Sequence, residues 1–224
     1  MPGVTGCSRA SAPSRESEAG MADVFGNGSK SVSPIDDVLH QAEVTILGVG
    51  NVILRDEGFG VRVMEYLASH YDWPDNVQLV DGGTLGIELT QYVTGTEKLL
   101  VIDSINGHAE PGTRVRLHND AVMEHFQDKL SAHEVGIQDV LALLTVTGHK
   151  IPEVVVIGAQ PYDLEAGVEL SEGMQKLLPE MADQALQELT GWGIHPTPKK
   201  DAGDMDYTRV AESIKNSNNP CLPL

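Results

Sequence analysis

Two carboxylates and one imidazole, Glu57, Asp103 and His133, are the residues whose types and placing could do chemistry together. That donor set suits a borderline divalent metal that keeps positions open for substrate or water. Both acids need no deprotonation at neutral pH, and the imidazole offers a neutral nitrogen. No cysteine stands near them in the chain, so a borrowed, weakly held metal fits better than a permanent structural one. Each member also has a plainer use. Asp103 can cap the loop that follows it through its own backbone, as Asp often does. His133 can be an ordinary first-turn helical residue, and His108, His118 and His125 stand close to it in the sequence. Asp81, ahead of Gly82, Gly83 and Thr84, can likewise be only a turn-former.

The elements that must position these residues begin at Val44. An apolar run from Val44 breaks at Gly48 and Gly50, where the chain can turn tightly at no steric cost. Phe59, Val63, Met64, Leu67 and Tyr71 then recur at helical spacing, up to a stop at Trp73-Pro74. Val77 to Asp81 reads as a second strand, and a short helix runs from about Gly86 to Val93. Lys98 to Asp103 is a third strand, apolar enough to be buried on both faces. Thr113, Val115 and Leu117 alternate with Arg114, Arg116 and His118, the pattern of a half-exposed edge strand. A helix follows over Ala121 to about Lys129. Ser131 and Glu134 then form a capping box that starts another helix, with Ile137, Val140, Leu141 and Leu144 inward. Glu153 to Gly158 is a further buried strand. Ser171 opens a last long helix with Leu177, Leu178, Met181, Ala185 and Leu189 inward and Gly191 as its stop.

Strands separated by helices predict a single α/β domain. Its mostly parallel twisted sheet has helices on both faces and one antiparallel edge strand. In such sheets the working site lies beyond the carboxyl ends of the strands. Glu57 follows the first strand, Asp103 ends the third, and the capped helix can present His133 to the same edge. Residues 1–40, rich in Ser, Gly and Pro, read as a disordered extension, 41–195 as the domain, and 196–224 as a polar tail. Met21 is an alternative start.

Several function classes drop out. A dinucleotide cradle wants a third glycine where Ile53 stands, and Asp56 with Glu57 would repel the phosphates it holds. The bland use of that acidic pair is to complement the dipole of the helix it precedes. The formal charge of -18 over 224 residues argues against nucleic-acid or anionic-membrane partners. Cys7 and Cys221 sit in the polar ends and build neither a disulfide framework nor a thiolate site. With no spanning apolar run and no secretory h-region, the expectation is a cytoplasmic protein. No activated serine or cysteine is marked either, Ser104 included.

Four ordered blocks carry a resemblance. They are Gly48-Val49-Gly50-Asn51 with Asp56-Glu57-Gly58-Phe59-Gly60-Val61-Arg62, then Asp81-Gly82-Gly83-Thr84, then Val101-Ile102-Asp103, then Ser131-Ala132-His133-Glu134. In order and spacing the chain from Val44 to Gly193 resembles the nickel–iron hydrogenase maturation endopeptidases. The resemblance implies removal of a short C-terminal peptide from the nickel-loaded precursor of the hydrogenase large subunit. It implies that Glu57, Asp103 and His133 contact nickel supplied by that precursor, with other divalent ions able to substitute. It implies precursor recognition by Asp81, Gly82, Gly83 and Thr84. The alternative on the same fold is a metal-sensing maturation chaperone that does not cut. A monomer is the default.

Overall fold

Among the described residues five strands, one of them alternating and half-exposed, assemble the sheet that the sequence calls for. The computed structural model describes residues 42–122 and 137–200. The expectations for 1–40, for the Ser131 capping box with His133, and for most of the tail lie outside the described residues, as does all but the start of the helix expected over Ala121 to Lys129. The strands are β1 (Val44–Val49), β3 (Val77–Gly83), β4 (Lys98–Ser104), β5 (Arg114–His118) and β6 (Glu153–Ala159), in spatial order β3-β1-β4-β6-β5. β1 pairs in parallel with both β3 and β4, β4 pairs in parallel with β6, and β5 closes the edge antiparallel to β6. The expected fold class is therefore the observed one.

Strand order decides where the site can be. The chain leaves β1, passes through α1 (Phe59–His70) to β3 on one side, and returns to β4 on the other. β1 and β4 are thus neighbours whose following segments part company, which opens a crevice at their carboxyl ends.

Both faces of the sheet are covered, and side-chain alternation assigns the core. Ile46, Leu100, Ile102, Val155 and Ile157 pack under α1 and α4 (Glu172–Gly191), against Phe59, Val63, Leu67, Met174, Met181 and Leu189. Leu47, Leu99, Val101 and Val156 face the other way, onto α2 (Thr90–Val93) and α3 (Ile137–Val146) through Val93, Val140 and Leu144. Leu99 and Leu100 are fully buried on opposite faces, each worth about 2 kcal/mol of apolar transfer.

The long helix α4 is held at both ends. Ser171 caps it, accepting from Met174 N–H at 3.3 Å. Its stop is not Gly191, which is the last helical residue, but Gly193 at φ +82°. Ile194 N–H donates to Leu189 O at 2.9 Å and Gly193 N–H to Thr190 O at 3.0 Å, a Schellman motif with the buried Ile194 closing over Leu189. Thr197 and Pro198, which the sequence reading puts in the tail, form a two-residue strand (β7) antiparallel to Tyr71–Asp72 (β2).

Candidate active site

The loop after β1 is shaped by close approach. Gly50 has φ +127° and donates its N–H to Gly83 O at 2.9 Å, tying the end of β1 to the end of β3. A Cβ on Gly50 would collide with the Glu57 carbonyl, so only glycine lets the loop fold back on itself there. The segment Leu54 to Glu57 turns on Leu54 N–H to Asn51 O and Glu57 N–H to Leu54 O, both at 3.1 Å. Glu57 then sits half-buried in a 3-10 turn, Arg55–Gly58, that packs against β4.

Asp103 lies at the carboxyl end of β4, opposite Gly158 of β6, and is also half-buried. Its Oδ1 accepts from the N–H of Ser104 at 2.7 Å, the local capping bond that the plainer reading allows. The two acids therefore occupy adjoining elements on the two sides of the crevice between β1 and β4. The cation nearest to Glu57 in the chain, Arg55, is paired with Asp163 at 3.0 Å. His133 lies outside the described residues, as does His125. His118 is ruled out as a third member, because it pairs opposite Val155 at the amino end of β6 and faces Glu153 at 3.8 Å. Among the described residues no three His, Cys, Asp or Glu side chains cluster to hold a metal.

Comparison with known proteins places the chain in a family. A sequence profile of the HycI family, hydrogenase maturation protease, matches residues 61–188, a span that contains Asp103 and His133 and begins just after Glu57. The chain belongs to the hydrogenase maturation protease family. The hydrogenase expression/formation protein HupD of Rhizobium leguminosarum is 35% identical over 176 residues, covering 74% of this chain and 87% of that protein. The hydrogenase 2 maturation protease of Escherichia coli is 34% identical over 158 residues, 70% of this chain and 96% of its own length. The solved hydrogenase maturating endopeptidase HybD from E. coli superposes with a TM-score of 0.67, covering 71% of this chain and 99% of that one.

In this protease the Asp81 block stands at the carboxyl end of β3, tied to the loop after β1 by the bond from Gly50 N–H to Gly83 O. Asp81 is exposed, and its Oδ1 accepts from Gly83 N–H at 3.0 Å, so it does form the turn. Gly82 is buried against Leu47, whereas Thr84 is exposed. Beyond them Leu85 and Ile87 stand exposed, as do Ile53 after β1 and Tyr162 after β6.

Sequence reasoning gave Glu57 a metal-binding role and left Asp56 only the helix-dipole use of the pair. The acids lie in the 3-10 turn ahead of α1, whose own first turn holds none, so complementing that helix's dipole is not what Asp56 does. Its fully buried carboxylate accepts from Tyr162 N–H and Asp163 N–H at 2.9 Å, and from Ser171 N–H at 2.7 Å and Ser171 Oγ–H at 2.8 Å. Gln160 was missed altogether. Its buried side chain accepts from Gly107 N–H at 2.8 Å and Ala109 N–H at 3.1 Å and donates to Asn106 at 3.0 Å, holding the loop that follows Asp103. A polar residue directly after the apolar run of β6 was the available signal.

Proposed function

We propose that this protease removes a short C-terminal peptide from the nickel-loaded precursor of a nickel–iron hydrogenase large subunit. The observation that carries the proposal is the meeting of family membership with two carboxylates flanking the β1–β4 crevice. In this reading Glu57, Asp103 and His133 hold the nickel that arrives in the precursor. That contact registers the scissile peptide against the carboxyl edge of the sheet, and a precursor without nickel gains no such anchor. The bound metal also polarises a carbonyl or acidifies a water. Glu57, the longer of the two acids, would leave the metal as water binds and is assigned as the base.

Incubating purified protease with nickel-loaded and nickel-free precursor tests this. The expected result is a size shift of the loaded precursor alone. A stable complex with loaded precursor and no shift identifies a metal-sensing chaperone instead.

The Asp81 turn is assigned to choosing the precursor. Asp81→Ala removes one exposed side-chain bond to Gly83 N–H, at a cost of about 1 kcal/mol or less. The expected signature is a raised KM with kcat held, together with slower discrimination among precursors. An unchanged KM for every precursor tried removes Asp81 from recognition.

A further inference from the structure

The Asp56 carboxylate does more than satisfy itself, and we infer that it is a positioning residue for Glu57, resting on the reading of Glu57 as a nickel ligand and base. An ionised carboxylate offers about four lone-pair sites and no donor. Here four donors converge on it, Ser171 N–H on Oδ1, and Tyr162 N–H, Asp163 N–H and Ser171 Oγ–H on Oδ2. No other side chain of this size accepts from all four. An amide would turn its NH₂ group toward at least one N–H that points back at it.

The clamp is continued by the backbone on both sides. Gly167 donates to Ile53 O and accepts from Arg55 N–H, each at 2.9 Å, and Asp56 N–H donates to Asp163 O at 3.2 Å. Residues 53–56 are thereby sewn to the loop between β6 and α4, and Ser171 carries the connection into the capped end of a 20-residue helix packed on α1. Glu57 is the next residue along. Its backbone is held between this clamp and the Gly50 contact on its own carbonyl. A ligand held this way stays within the few tenths of an ångström that metal and water placement demand, and partners one shell out from a metal ligand are worth about 10- to 100-fold in affinity.

A double-mutant cycle separates positioning from plain stability. The full chain is made as Asp56→Asn, Glu57→Ala and both together. The cycle is read twice at a temperature where circular dichroism shows each variant folded: as Ni²⁺ affinity by calorimetry and as kcat against KM for nickel-loaded precursor. Asp56→Asn is expected to weaken Ni²⁺ binding and lower kcat about tenfold, with little change in KM. In the Glu57→Ala background the same change is expected to cost nothing further, because the residue it positions is gone.

Losses that multiply in the double variant overturn the inference, and so does an Asp56→Asn chain that binds and cuts like wild type beside a defective Glu57→Ala. A Glu57→Ala chain with wild-type Ni²⁺ affinity and kcat instead removes the reading of Glu57 on which the inference stands. Where Asp56→Asn does not fold, Ser171→Ala, which removes one of the four donors, runs the same cycle with a smaller expected loss of about threefold.

Discussion

Glu57→Ala is expected to leave a folded protein that processes the proposed nickel-loaded precursor only slowly, with kcat/KM lower by about 10²–10⁴. Asp103→Ala and His133→Ala are expected to do the same. The size follows from role: losing a base or a metal contact removes an interaction made in the transition state, and that loss appears in kcat as well as kcat/KM. The fold is expected to survive because neither acid is fully buried. Glu57 is half-buried at a loop, and truncating Asp103 forfeits its bond to Ser104 N–H, worth about 1 kcal/mol. A gel time course gives the rate and a urea titration gives the stability. Processing at the wild-type rate by two of the three variants rejects the assignment. A loss of activity that tracks a loss of stability rejects the claim that these residues act at the site.

The contrast between Asp56 and Glu57 shows what could be read from the chain and what could not. Periodicity located the strands of the main sheet and the inward faces of α3 and α4, though not the two-residue pair β2 and β7, because burial on a sheet or helix leaves a repeat that survives in one dimension. The same logic put Glu57 and Asp103 at the carboxyl edge, since strand order in a parallel sheet fixes which end carries the loops. Two adjacent acids carry no such repeat. That Asp56 turns inward to meet Tyr162, Asp163 and Ser171 depends on a loop more than a hundred residues away, and no local pattern encodes it. Gln160 is hidden for the same reason, its partners being backbone N–H groups 51 and 53 positions back. The stop of α4 failed differently. Gly191 and Gly193 are both glycines after an apolar face, and only the closing of Ile194 over Leu189 selects the second.

Gly60→Ala tests the physical basis of the crevice itself, and is expected to cost about 3 kcal/mol of stability or to prevent folding. Two effects oppose each other at this position. Alanine in a helix is intrinsically better than glycine by about 1 kcal/mol. Against that, a Cβ on Gly60 would run into the carbonyl oxygen of Ile102 and lie 2.5 Å from that of Val49. These are backbone atoms of β4 and β1, each locked in a parallel ladder, so neither can step aside. Relief has to come from α1 lifting off the sheet. Gly48 resists that adjustment from the other side, because its own missing Cβ is what admits Gly60 O and Met64 so closely. The clash therefore outweighs the propensity gain. Because Gly60 stands three residues from Glu57 and rests on the residue before Asp103, any fold that survives should also show a widened gap between the two acids and slower processing. Gly191→Ala is the matched control, an exposed helical glycine with nothing near its absent Cβ. It should unfold at a urea concentration equal to or above wild type, in line with a propensity gain of about 0.5–1 kcal/mol. Equal midpoints for Gly60→Ala and wild type would mean that α1 does not sit as tightly on β1 and β4 as the geometry says, and the packing of the Glu57 turn against β4 would lose its support.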